Sequence, residues 1–260
     1  MDPAVYLSCA SDEDHSLFLA LNVNYQHAKG RINYLAISTR PVLAFTVSLL
    51  SQHLKKPGIQ HWWAFKWLLR YLFGTQQHGL TLFCTSINIR TYAYASYANC
   101  PTNSRSHTGL LVYLGNTLLH WKSRRQPSVS SSSTEAEYKA LYKGGQQIFR
   151  FRQLLLDMSF SISSSEFSLL GNKQQSIALA KNPMSFIHTM HINVKLHCLR
   201  EKLVLNVFTL YYVSTIAMHA DLINKALHCV KHQGLVKHVF SSSFPYAELG
   251  GEFHNNENLC

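Results

Sequence analysis

Carboxylates are scarce in this chain of 260 residues. Thirteen Asp and Glu stand against 24 Lys and Arg, giving a net charge of +11, and charged residues make up only 14% of the sequence. The usual share in soluble domains is roughly 25%. That scarcity excludes a highly charged disordered chain. The basic excess favours nucleic acid or another anionic surface as partner and says nothing of fold. No run of about 18 apolar residues occurs, so no transmembrane helix and no membrane partner is expected. Met1-Asp2-Pro3 is not a basic-then-apolar leader, so entry to the secretory route is not expected. The six cysteines, Cys9, Cys84, Cys100, Cys198, Cys229 and Cys260, form no Cys-x-x-Cys pair. They read as reduced thiols of a cytoplasmic or nuclear chain. No internal repeat is present.

What is there begins with helices. Residues 1 to about 24 are unpatterned. Apolar residues from Val42 to Leu54 follow Pro41, which suits a first helical turn. Pro57-Gly58 breaks that helix, and a second is expected from Gln60 to Phe73, ending at Gly74. Its four aromatics, Trp62, Trp63, Phe65 and Trp67, suit packing better than function, because aromatics bury the most area. Beyond Gly79 the composition turns to β-branched and aromatic residues. Strands are expected over 80–84, 90–96, 109–114 and 117–122, with a hairpin turn at Gly115-Asn116. A serine-rich loop, 128–133, precedes a long helix over 134–157, which Gly144 and Gly145 weaken by roughly 1 kcal/mol each relative to Ala. A strand at 166–170, helices at 175–180 and 191–203, a strand at 208–214 and a last helix from about His219 complete an α/β order. The residues from Ser241 onward look like a disordered tail.

Several motifs carry a resemblance. Ser131-Ser132-Ser133-Thr134-Glu135-Ala136-Glu137-Tyr138 is preceded by Trp121-Lys122-Ser123-Arg124-Arg125-Gln126-Pro127. It is followed by Ile177-Ala178-Leu179-Ala180-Lys181-Asn182-Pro183, then by His191-Ile192 and Leu199-Arg200-Glu201-Lys202, then by Ala220-Asp221-Leu222-Ile223-Asn224-Lys225. In this order they resemble the RNase H region of copia-type LTR retrotransposon Pol polyproteins. Gly30-Arg31-Ile32, Thr39-Arg40-Pro41 and Leu69-Arg70-Tyr71-Leu72-Phe73-Gly74-Thr75 resemble the stretch after the reverse-transcriptase palm. The resemblance spans residues 1 to about 230 and implies a C-terminal piece of a larger polyprotein. No Tyr-x-Asp-Asp motif is present, so polymerase activity is not expected.

The implied fold is an RNase H-like mixed five-stranded sheet with flanking helices over residues 78–230. A remnant of the reverse-transcriptase thumb or connection region (1–77) precedes it, and a largely disordered tail (231–260) follows. The implied chemistry is hydrolysis of RNA in RNA–DNA hybrids, with two Mg²⁺ ions held by four carboxylates. Carried over onto this chain, those four positions read Tyr94, Glu137, Asn172 and Asp221, so two ligands survive. Tyr94 is neutral near pH 7. Asn172 lacks charge, and Lys173 beside it repels Mg²⁺. Met190, Ser214, Met218 and Asn224 are further departures from the family pattern. The expectation is a scaffold without a productive metal site. The alternatives are residual nuclease activity, a non-catalytic basic nucleic-acid-binding module, and a poorly folded transposon relic.

Plainer readings stand beside these. Thr134 with Glu137 fits a capping box. Asp221 at a helix start fits a dipole or capping role. Lys122, Arg124 and Arg125 could touch phosphates, in a sequence-independent and salt-dependent way, or simply form a solvated face. His188, His191 and His197 with Cys198, or His228 and His232 with Cys229, could suggest zinc, but neither has a structural-zinc pattern.

Overall fold

A computed structural model describes residues 7–82, 86–100, 102–182 and 193–240. The chain divides into two compact units, Met1–Thr81 with Ala226–Cys260, and Leu82–Lys225.

The first unit is helical. Ser11 caps α1 (Asp12–Leu19) by accepting from the Asp14 N–H, and Asp12, Glu13 and Asp14 complement the dipole of its first turn. Asn24 caps α2 (Tyr25–Ser38) in the same way. Neither helix was expected, because few of their residues are apolar and inward-facing: Phe18 is the buried residue of α1, and Tyr25, Ile32 and Ala36 are those of α2. The helix expected after Pro41 is a 3-10 turn, Pro41–Leu43, running into α3 (Ala44–Leu50) and a second 3-10 turn, Ser51–His53. Helix α4 spans Ile59–Gly74 and ends on Thr75 as its C-cap, one residue beyond the expected glycine stop. Its inner face packs aromatically. Trp62 stacks on Phe65 at 5.3 Å, and Phe65 meets Tyr25 edge-on at 6.1 Å. His61 is fully buried and satisfied at both nitrogens: Nδ1 accepts from Gly58 N–H, and Nε2 donates to the Ser8 carbonyl.

The second unit is built on a five-stranded sheet. Strands β1 (Ile89–Ser96), β2 (His107–Leu114) and β3 (Thr117–Arg125) form an antiparallel meander with Gly115 at φ 55° in the turn. The chain then crosses through α5 (Ser133–Asp157) to β4 (Phe167–Gly171), through α6 (Gln174–Lys181) and α7 (Asn193–Val204) to β5 (Thr209–Tyr212). The order is β3-β2-β1-β4-β5, with β4 parallel to β1 and β5 parallel to β4. This is the expected mixed sheet with flanking helices. Ala93, Val112, Phe167 and Leu169 meet Tyr138, Leu141, Ile148 and Leu199 in the core between sheet and helices. Beyond β5, residues 219–223 form a 3-10 turn where the last helix was expected to start.

Three further expectations are corrected. Residues 80–82 of the first expected strand are not in a sheet; the rest of it lies outside the described residues. An apolar run does not make a strand without a neighbour to pair with. Of the expected tail, residues up to Phe240 form α8 (Cys229–Phe240), which buries Leu235, Val236 and Val239; the remainder lies outside the described residues. Apolar residues at i, i+1 and i+4 are enough to dock a short helix. Cys229 takes part in a disulfide bond, against the expectation of six reduced thiols, whereas Cys9, Cys100 and Cys198 are free. Spacing along a chain does not report which thiols meet in space.

Candidate functional site

Strand alternation places Thr91, Ala93 and Ala95 toward α5 and Tyr92 and Tyr94 toward the opposite face. The 219–225 segment crosses that face. Gly109 on β2 permits the approach: a Cβ there would lie 2.9 Å from the Ala220 carbonyl oxygen. Pairing between β1 and β4 ends at Tyr92 and Leu170, and Asn224 takes over the exposed strand edge. Its Nδ2 donates to the Tyr94 carbonyl at 2.9 Å, and its Oδ1 accepts from the Ser96 N–H at 3.2 Å. One departure from the family pattern thus has a local role: an amide both donates and accepts along the open edge.

Glu137 lies in the second turn of α5, not in a capping box. The cap is Ser132, which accepts from the Glu135 N–H, while Glu135 reaches back to the N–H and hydroxyl of Ser131. Burial alone would raise the Glu135 pKa, but bonds from Lys139 and Ser131 hold it down to about 2. Glu137 is therefore free to point at β1, where its Oε2 accepts from the Ala95 N–H at 3.2 Å. Burial pushes its pKa up to about 8.

Asp221 is wholly buried in the 3-10 turn, not at the start of an α-helix. Its Oδ1 lies 3.0 Å from the Lys225 ammonium. The same ammonium donates to the Tyr94 hydroxyl at 3.3 Å and sits 4.9 Å from its ring centroid. Burial would lower the Lys225 pKa, yet Asp221 and Tyr94 outweigh it and the pKa is raised. The Tyr94 hydroxyl is pushed up by burial. Asn172, half-buried, follows β4 directly, and the neighbouring Lys173 donates to the Ser133 hydroxyl.

Tyr94, Glu137 and Asp221 thus converge, with Asn172 at the adjoining strand end. The donor set does not fit two Mg²⁺ ions. Two divalent cations held at one place repel each other, and carboxylate charge between them must offset that repulsion. Here one position is a neutral phenol and one is an amide, which leaves Glu137 and Asp221 as the carboxylates. Asp221 is already paired with Lys225. That lysine was missed as a site residue; the i, i+4 spacing from Asp221 was the available signal.

The basic residues divide. Lys122 and Arg124 are exposed on one side of β3. Arg125 alternates away, its Nη1 3.7 Å from the Cys100 sulfur. Lys143 and Arg150, both exposed on α5, extend the patch. Burial, then the charges of Lys122, Arg150 and Arg124, lower the Lys143 pKa. The serine-rich loop is tied inward: the Lys139 ammonium donates to Ser128, Val129 and Ser130. Of the histidine–cysteine clusters, His188 and His191 lie outside the described residues, and Cys229 is engaged in its disulfide.

No family model matches the chain. A retrovirus-related Pol polyprotein from transposon TNT 1-94 of Nicotiana tabacum is 32% identical over 205 residues, 79% of this chain and 15% of that protein. The Pol polyprotein from transposon RE2 of Arabidopsis thaliana is 31% identical over 216 residues, 83% of this chain and 15% of that protein. A secreted RxLR effector protein of Plasmopara viticola is 40% identical over 127 residues, 48% of this chain and 89% of that protein. Among solved structures, the RNase H domain of a Mycobacterium tuberculosis protein covers 58% of this chain and 98% of its own, at 13% identity and TM-score 0.39. A compost-derived RNase H1, solved with an RNA/DNA hybrid, covers 53% and 94%, at 13% identity and TM-score 0.40. The chain spans about 15% of the length of the curated polyproteins it matches. Identities of 32% and 31% over most of the chain show its family: the chain belongs to the Pol polyproteins of copia-type retrotransposons.

Proposed function

We propose that this chain is an RNase H-like domain without nuclease activity that keeps a sequence-independent grip on RNA–DNA hybrid or other nucleic acid, in the cytoplasm or nucleus. The observation that carries the reading is the Lys225 ammonium, in contact with both Asp221 and the Tyr94 hydroxyl. Two-metal hydrolysis needs divalent ions against carboxylates at that place, to activate a water and stabilise the leaving oxygen. A tethered monovalent cation answers the Asp221 charge but offers no open coordination position. Four exposed cations, Lys122, Arg124, Lys143 and Arg150, support the binding half of the reading. Such a patch meets phosphates, and a hybrid helix is read through backbone shape and 2′-hydroxyls.

The test is cleavage of a labelled RNA–DNA hybrid in Mg²⁺ by the natural chain and by a Tyr94→Asp, Asn172→Asp variant. The natural chain is expected to leave the hybrid intact while binding it without metal. With four phosphate contacts, log K should fall against log salt with a slope of about −3 to −4. Cutting by the double variant alone would locate the silence in the missing carboxylates. Cleavage by the natural chain that Glu137→Gln abolishes would sink the proposal, and a flat salt response would sink its binding half.

A further inference from the structure

From His15 through Thr134 the sequence holds no carboxylate; the Lys and Arg residues of that stretch have no acidic neighbour in sequence. Helix α4 lies within it. His61, Ala64, Phe65 and Leu68 form its buried face. On the opposite face Trp63, Lys66, Trp67 and Arg70 fall at i, i+3, i+4 and i+7. Trp63 is 50% exposed and Trp67 60%, a large apolar exposure for two indoles on one helix. The Lys66 ammonium lies 3.9 Å from the Trp63 ring centroid, and the Arg70 guanidinium 5.0 Å from that of Trp67. One turn further on, Leu69, Arg70, Phe73 and Gly74 line an open apolar depression.

We propose that this face of α4 binds single-stranded nucleic acid, with bases stacked on Trp63 and Trp67 and phosphates against Lys66 and Arg70. Exposed rings alternating with cations are the two elements of single-strand recognition: every base offers a flat face, and the backbone offers a charge at each step. A duplex hides its base faces, so the rings select the single strand. An apolar protein partner suits the face less well, because it would have to bury Lys66 and Arg70 without counter-charge. The surface belongs to the helical unit and is distinct from the patch on β3 and α5.

The experiment uses the full chain and a fluorescein-labelled twelve-nucleotide oligo-dT, read by anisotropy and by quenching of tryptophan emission. Binding with quenching is expected. Trp63→Ala with Trp67→Ala should weaken it roughly tenfold per ring and leave hybrid-duplex binding unchanged. Both rings are exposed, so the fold should persist, which circular dichroism checks. If the alanine pair unfolds, Lys66→Glu with Arg70→Glu keeps the rings and must abolish oligo-dT binding. Oligo-dT binding within twofold of the parent in the folded variant overturns the proposal. So does a tryptophan-dependent dimer in sedimentation, or tryptophan-dependent binding to anionic vesicles, with oligo-dT binding unaffected.

Discussion

At the scale of single residues, the counter-charge to Asp221 is the most exacting requirement in the molecule. The carboxylate has no solvent exposure, and Lys225 is its ion-pair partner at 3.0 Å. Taking one partner from a buried pair leaves an uncompensated charge and costs several kcal/mol, whereas replacing both is often close to neutral. Lys225→Met is therefore expected to destabilise the chain by about 2–4 kcal/mol, and Asp221→Asn in the same chain to restore most of the loss. Urea unfolding of the two singles and the double closes the cycle. A single variant within about 0.5 kcal/mol of the parent would show that Asp221 has another counter-charge. Motif order in the sequence marks Tyr94, Glu137, Asn172 and Asp221, and the fold brings Tyr94, Glu137 and Asp221 together; the marking was legible in sequence, the contacts among them were not. The role of Lys225 was legible only in part. Its spacing from Asp221 is visible in sequence, but its hydrogen bond to Tyr94 joins residues 131 positions apart. The capping-box reading of Glu137 failed differently. Two overlapping patterns, Ser132 with Glu135 and Thr134 with Glu137, both satisfy the capping spacing. Only the packing of α5 on β1 decides which glutamate turns back toward the cap and which turns inward.

At the scale of elements, α5 shows where local propensity and packing disagree. By propensity, Gly144 and Gly145 weaken the helix relative to Ala. In place, both are contact residues. A Cβ on Gly144 would lie 2.6 Å from Leu169 Cδ1 and 3.2 Å from Ala93 Cβ, and one on Gly145 would lie 2.8 Å from Leu199 Cδ1. Leu169 can swing its end atom, but Ala93 sits on the central strand and cannot. Overpacking costs typically 1–3 kcal/mol, against a propensity gain of at most about 1. Gly144→Ala should thus destabilise by about 1 kcal/mol. Gly30, exposed in α2 with nothing within 4 Å of its missing Cβ, should do the opposite and gain about 0.5–1 kcal/mol as Ala. The pair can be compared by shifts in urea midpoint; equal signs would mean that propensity alone decides both. The same contrast explains which elements the sequence announced. Strands β1 to β4 and helices α4 to α6 carry dense apolar patterns and were placed to within one to three residues. Helices α1 and α2 bury so few apolar residues that their caps, Ser11 and Asn24, were the stronger signal.

At the scale of the whole molecule, the shortage of carboxylates changes how acid should act. Acid unfolding usually proceeds by protonating paired carboxylates. This chain has 13 carboxylate side chains and 15 histidines. Several histidines are held below their ordinary pKa, with burial as the first cause: His61, His78, His120, His232 and, most strongly, His107 at about 4. His107 is buried on β2, bonds the Ser123 hydroxyl at 2.8 Å and feels the charge of Arg125. A depressed histidine pKa means that the unfolded chain binds more protons between the two values, so stability is full above about 6.5 and drains as pH falls toward 4. His107 alone should account for about 3 kcal/mol across that window. Each protonation also adds to a net charge that already stands at +11, and self-repulsion then opposes the compact state. Glu137, raised to about 8, works the other way: the folded chain binds its proton first and gains stability as pH falls toward 4.5, so the histidine contribution is read as the difference between the parent and a His107 variant. His107→Gln, which keeps a hydrogen-bonding group for Ser123, should lose less stability than the parent between pH 6 and 4. Melting temperatures of parent and variant that run parallel from pH 6 to pH 4 would show that His107 carries none of the acid sensitivity.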